Sequence, residues 1–165
     1  MDIYILRHGA AEPRANDVPD RDRKLTLKGK RDVQAVAKAA LHAKAKPTVI
    51  FTSPLVRAKE TAAIAAKVLG CGKVIETRSL MPGARPDLIW KELGSHAAIP
   101  QVNAAVMLAG HEPHMSRIVA FLLEAAVVVD FKKGALVRIS TTGKIGPPRG
   151  VLKWAITPRL AGAGR

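Results

Sequence analysis

Continuous apolar runs of strand length alternate along this chain with stretches whose apolar residues recur every three or four positions. Ile3-Tyr4-Ile5-Leu6 is the first such run and predicts a buried strand. Thr26 has the chemistry of a helix N-cap, ahead of Val33, Val36, Ala37, Ala40 and Leu41 at helical spacing, with an end near Lys46-Pro47. Thr48 to Thr52 predicts a second strand. Ser53-Pro54 then opens a helix that carries Leu55, Ala58, Ala62 and Ala65 on one face and runs to Gly70. Lys73 to Glu76 reads as a short strand, and Pro82, Gly83 and Pro86 break the pattern before a short helix with Leu88, Ile89 and Leu93. Asn103 to Ala109 is another buried strand, followed by a helix opened by Pro113 that carries Ile118, Val119, Leu122 and Leu123. Val127 to Phe131, Ala135 to Ser140 and Val151 to Thr157 complete the sheet, with antiparallel members expected because Lys133-Gly134 and Thr142-Gly143 are turn signals. Ala161 to Arg165 is small-residue chain expected to fray.

Strands alternating with helices define an α/β class, and 165 residues suffice for one domain, 1–165, with a real core. No apolar stretch approaches a membrane span, and the N-terminus lacks the pattern of an export signal, so a cytoplasmic, membrane-free monomer is expected. Cys71, the only cysteine, excludes an intramolecular disulfide and is read as a small buried hydrophobe. The net charge of +14 attracts anions of several kinds without choosing among them. Nucleic acid is a poor fit as principal ligand, because seven aromatics supply little stacking surface and no RNA-binding motif is present.

Open α/β sheets bind ligands beyond the carboxyl ends of their strands. The first strand is followed by Arg7-His8-Gly9, the second by Ser53-Pro54 with Arg57 one turn into the helix, and the strand ending at Ala109 by Gly110-His111-Glu112-Pro113. Two arginines and two histidines therefore converge on one edge. Arginine offers a permanent planar fork matched to phosphoryl oxygens, and a neutral histidine nitrogen can accept a phosphoryl group. Gly9 permits close backbone approach, and the helix after Pro113 offers amides to an anion.

These segments resemble the histidine phosphatase, or phosphoglycerate mutase-like, superfamily: Arg7-His8-Gly9, the run from Ser53 to Ala62, and Gly110 to Pro113. The short length, Arg23-Lys24-Leu25-Thr26 with Gly29, and the segment from Leu152 to Pro158 look like its SixA-type branch. The resemblance implies a three-layer sandwich, with a mixed, mostly parallel sheet flanked by helices. It implies His8 as nucleophile, Arg7 and Arg57 as phosphate clamps, His111 as the second histidine and Arg23 as a further phosphate ligand, with no metal and no organic cofactor. One departure matters. Where larger members carry an acidic proton donor, Ser79 to Pro86 has no carboxylate before Asp87, and Ala10 is not acidic, which leaves Glu12 or water as a weak donor.

Without a strong acid, a good leaving group is favoured, and imidazole, with an unperturbed pKa of about 6.5, is a far better one than an alkoxide. The leading expectation is a metal-independent phosphatase of phosphohistidine, with an acidic phosphotransfer domain as possible protein substrate. A small phosphoester or sugar phosphate is the alternative substrate, and a non-catalytic basic module for phosphorylated or nucleic-acid ligands is the alternative from another class. Zinc at His111 and His114 is disfavoured, because His-Glu-x-x-His would need histidine where Met115 stands. Glu60 is expected to pair with Arg57, and Lys28, Lys30, Arg31 and Lys38 to form a solvated helix face or to attract an acidic partner. Gly70 to Lys73 is read as a helix end rather than a phosphate loop, Trp90 and Trp154 as core or rim, and His42 and His96 as surface residues.

Overall fold

A computed structural model describes residues 1–14, 17–99, 104–142 and 146–163. Six strands form one sheet: β1 (Asp2–Arg7), β2 (Val49–Thr52), β3 (Val74–Glu76), β4 (Ala105–Gly110), β5 (Leu136–Thr141) and β6 (Gly150–Ile156). Their spatial order is β3-β2-β4-β1-β5-β6. Pairing is parallel from β3 through β1, whereas β5 runs antiparallel to both β1 and β6.

Each central strand is apolar on both sides because helices cover both faces of the sheet. Ile3 and Ile5 of β1, with Val106 and Leu108 of β4, join the cluster under α3 (Pro86–Ser95) and α4 (His114–Leu123). Their neighbours Tyr4, Leu6, Met107 and Ala109 point the other way, against α1 (Leu27–His42) and α2 (Val56–Leu69). This is the expected three-layer sandwich. Small side chains on the second face, Ala40, Ala62, Ala65 and Ala66, let α1 and α2 lie close to the strands. No helix among the described residues is long and apolar enough to cross a membrane.

Local signals in the sequence account for most element ends. The Thr26 side chain accepts a hydrogen bond from the Gly29 amide and caps α1. Gly70 ends α2 in the left-handed region (φ 69°). Cys71 is buried beside it. Helix α1 stops at His42, before Lys46-Pro47, because Lys44 turns left-handed (φ 60°) and the Ala45 amide returns to the Ala40 carbonyl.

Residues 127–131 correct the expected strand. Both edges of β5 are already taken, by β1 and β6, so this β-branched run cannot pair with the strand that follows it, and Val128 is fully exposed. Residues 161–163, expected to fray, instead sit in hydrogen-bonded turns, with amides donating to Thr157, Arg159 and Pro158 carbonyls. His96 is half-buried rather than on the surface, edge-on to the Phe51 ring at 5.0 Å. Asn103, Gly143 and Arg165 lie outside the described residues.

Two glycines lock the loop after β1 against the start of α1. A Cβ on Gly9 would meet the Gly29 carbonyl oxygen at 2.8 Å, and one on Gly29 would stand 2.0 Å from the Ala10 carbonyl oxygen. The close approach allowed by Gly9 is therefore to the protein's own helix. Gly29→Ala gains up to about 1 kcal/mol of helix propensity but forces backbone apart, at a cost of at least about 2–3 kcal/mol. The melting temperature of this variant is expected to fall by several degrees, and an unchanged or raised value in a thermal scan would contradict this packing.

Candidate active site

The parallel register assembles the site. Arg7 pairs with Gly110 across β1 and β4, and the His8 amide donates to the Gly110 carbonyl at 2.9 Å. His8 and His111, one residue beyond their strands, are thereby neighbours, with ring centroids 5.0 Å apart. Thr52 pairs with Ala109 across β2 and β4, and the Ser53 amide donates to the Ala109 carbonyl. That places Ser53 Oγ 2.8 Å from His111 Nε2. Arg57 reaches in from the first turn of α2 and is buried.

Around these groups lies a cavity of about 300 Å³, lined by Arg7, His8, Arg23, Arg57 and His111. All five expected site residues therefore come together. Arg14, Asp20, Glu112 and Lys133 also line it, whereas Glu12 does not. What Glu12 contributes is its backbone carbonyl, which accepts from Arg23 Nη1 at 2.7 Å.

The hydrogen bond of His8 defines its tautomer. His8 Nδ1 donates to the Gly9 carbonyl at 2.7 Å, since that oxygen can only accept. Its Nε2 is then the unprotonated nitrogen. His111 has Nε2 engaged with Ser53, leaving Nδ1 buried without a protein partner among the described residues. Burial, the first cause, and the nearby arginines push the His8 pKa down to about 4. Burial, His8 and Arg57 push that of His111 down to about 3. Both rings are neutral near pH 7.

The guanidinium groups are held from behind. Arg7 Nη1 donates to the Phe131 carbonyl, so the segment that failed to become a strand serves to fix this side chain. Arg57 donates to the Asp20 carbonyl at 2.7 Å and to its carboxylate at 3.1 Å. The same carboxylate accepts from Arg23 Nε and Nη2 at 3.0 and 2.7 Å. Desolvation works against the Asp20 charge, yet its bonds to Arg23 and Arg57 outweigh it and hold the carboxyl below its ordinary range. Asp20 is therefore a carboxylate, not an acid.

Glu60 does not pair with Arg57, which corrects the expectation from their spacing. Its oxygens take the Leu25 amide at 2.6 Å and Lys30 at 3.3 Å, tying α2 to the start of α1. Glu112 also looks inward along the chain: its carboxylate accepts from the amide and hydroxyl of Ser116, so one of the α4 amides expected to face an anion is already taken. His114 Nε2 donates to the Ser79 carbonyl, 3.0 Å away, outside the cavity lining. No group of three or more potential metal ligands occurs among the described residues.

The residues that sequence reasoning missed are supports. Thr61 Oγ1 donates to the Arg57 carbonyl at 2.7 Å and accepts from the Gly9 amide at 3.2 Å, coupling the loop of His8 to the helix of Arg57. The four-residue spacing of Arg57 and Thr61 was visible. Asp20, three residues before Arg23 in the turn Asp20–Asp22, had an equally readable spacing. Gly134 (φ 77°) donates to the Arg7 and His8 carbonyls, closing the site from the Lys133-Gly134 turn.

Fold and site together describe an α/β protein with a buried, arginine-rich pocket around two neutral histidines. Residues 3–81 match the histidine phosphatase superfamily (branch 1). An uncharacterized protein of Picosynechococcus sp. is 35% identical over 121 residues, covering 70% of this chain and 68% of that protein. The chain belongs to the histidine phosphatase superfamily. Its fold is similar to that of the protein histidine phosphatase SixA solved with tungstate (TM-score 0.85, 23% identity, covering 96% of this chain and 98% of that one). It is also similar to a putative phosphohistidine phosphatase SixA from Agrobacterium tumefaciens (TM-score 0.77, 21% identity, 95% and 97% covered). A mycobacterial glucosyl-3-phosphoglycerate phosphatase shares the fold at a TM-score of 0.68 and 19% identity, with 93% and 97% covered.

The depressed histidine pKa values have a sign that can be tested. An unfolded histidine binds its proton at about pH 6.5, whereas these two bind only near 4 and 3 when folded. Between those limits the unfolded state holds more protons, so stability is expected to fall as pH drops from about 6.5. His111→Asn should flatten that fall in melting temperature. NMR of the ring C–H signals should show both rings neutral at pH 5; titration near 6.5 would contradict their burial.

Proposed function

We propose that this chain is a metal-independent phosphatase that hydrolyses phosphohistidine through a covalent phosphohistidine on His8. The observation that carries this reading is the bare Nε2 of His8, fixed by the Gly9 carbonyl, beside His111 and the forks of Arg7 and Arg57. Membership of the superfamily supports it, and so does likeness of fold to two SixA proteins.

The Nε2 lone pair attacks phosphorus, the new N–P bond forms, and the bond to the substrate's ring nitrogen breaks. A substrate imidazole protonated on its other nitrogen departs as a neutral ring, so no enzyme acid is required. His8 keeps its Nδ1 proton on the Gly9 carbonyl throughout. Its imidazolium form, created when Nε2 is phosphorylated, is then the leaving group when water attacks phosphorus, which returns neutral His8 and dihydrogen phosphate. Arg7 and Arg57, with His111 beside them, hold the phosphoryl oxygens, supplying positive charge and donors where negative charge moves. Arg23 joins them if Asp20 yields its grip.

The proton balance supports this substrate class. Asp20 is ionised, Glu112 is engaged by Ser116, and the stretch after β3 carries no carboxylate into the cavity. An alkyl ester would leave as a strong base without a donor; an imidazole would not. A small phosphoester remains the competing substrate.

Three measurements bear on this. His8→Ala should lower kcat/KM by at least about 1000-fold and abolish acid-labile labelling of the enzyme; labelling that survives would overturn the nucleophile. Phosphohistidine should be turned over faster than alkyl phosphates, and the reverse preference would overturn the leaving-group reading. Asp20→Asn removes a negative charge that shares Arg57 and Arg23 with the incoming anion, so inhibition by inorganic phosphate should tighten severalfold. Weaker inhibition would show that Asp20 serves only to hold the arginines in place.

A further inference from the structure

The outer faces of α1 and α2 form a groove of about 670 Å³, separate from the cavity around His8. Ile64 and Val68, both half-buried, make its floor, with the exposed Leu27 and Leu41 toward the two ends of α1. Lys30, Arg31, Lys38 and Lys67 surround it, and no acidic residue lines it. Lys30 is paired with Glu60, whereas Arg31, Lys38 and Lys67 have no carboxylate partner among the described residues. Leu27 stands 80% exposed at the start of a helix that buries Val33, Val36 and Ala40 on its other side.

We propose that this groove docks an acidic amphipathic helix of a protein partner. The shape is elongated: from Leu27 to Leu41 the stripe follows α1 for about 21 Å, the length of a helix of about 14 residues. The chemistry has two parts that one occupant must satisfy together, an apolar stripe for the leucines, isoleucine and valine, and carboxylates on both flanks for the cations. A second copy of this chain fails the second part, because a twofold contact would set lysine and arginine against lysine and arginine. Nucleic acid fails the first, since a phosphate backbone has no use for an apolar floor.

The Leu27 end of the groove is tied to the loop that carries His8. Thr26, which caps α1, donates to the Ala10 carbonyl two residues after His8, and Glu60 joins Lys30 at the groove to the Leu25 amide beside it. Arg57 lies one turn before Glu60 on α2. A helix lying along the groove has one end at the start of α1, which is bonded to the His8 loop, and from there the same partner can present a phosphoryl group to the cavity. This last point rests on the function proposed above; the docking does not.

The test uses the full chain and a synthetic helical peptide of about 16 residues, matched to the groove, with leucines at helical spacing and glutamates on the flanks. Fluorescence anisotropy should show saturable binding that weakens with salt and is absent for a scrambled peptide of the same composition. Arg31→Glu with Lys38→Glu should weaken it at least about tenfold, while His8→Ala leaves it intact. No binding, equal binding of the scrambled peptide, indifference to the charge reversals, or dimerisation through this face in sedimentation would each overturn the proposal. Turnover of free phosphohistidine separates the two readings. It should persist in the charge-reversed protein; its absence from the unmodified protein with peptide binding intact would sink the proposed function alone.

Discussion

The parallel register of β1 on β4 and of β4 on β2 is the constraint on which the rest of the site depends. It delivers the residues after three strands, His8, Ser53 and His111, to one point with no contribution from loop flexibility. Strand ends are anchored on both sides by ladder hydrogen bonds, so a side chain one residue beyond them inherits the rigidity of the sheet. The loops then need only bring guanidinium groups. They do so with backbone carbonyls from Glu12, Asp20 and Phe131, which bind arginine without adding net negative charge to the cavity.

Electrostatics at this point is a balance between burial and repulsion. Two histidines 5.0 Å apart beside Arg57 cannot both carry protons at reasonable cost, and burial removes the water that would screen them. The outcome favours nucleophilic chemistry: the rings stay neutral, and the positive charge resides on guanidinium groups that do not titrate near neutrality. Among the described residues Asp20 is the one carboxylate that engages Arg57, and its place on two arginine forks is the kind of place a phosphoryl oxygen would take.

Much of this was legible in the sequence, for a physical reason. Strands buried on both faces are continuous apolar runs, so their ends, and the residues just beyond them, can be read directly, as at Leu6-Arg7-His8 and Ala109-Gly110-His111. Partner choice was less legible. Glu60 has the spacing to meet Arg57, yet it caps the chain at Leu25, because the turn Asp20–Asp22 brings a carboxylate to Arg57 from outside the helix. Such long-range competition leaves no local trace. The run 127–131 misled in a similar way: β-branched residues make a strand only where they pair with one, and the adjacent β5 is already paired on both sides.

The charge of +14 also divides by range. At physiological salt a surface charge is screened beyond about 8 Å, so cations spread over about 21 Å of α1 cannot all serve an anion in the cavity. Arg7, Arg14, Arg23, Arg57 and Lys133 line that cavity. Lys38 and Lys67 line a different, apolar-floored surface, where only a partner in direct contact can feel them. Part of the excess charge thus lines two separate surfaces, the cavity around His8 and the apolar-floored groove, joined through Lys30, Glu60 and Leu25.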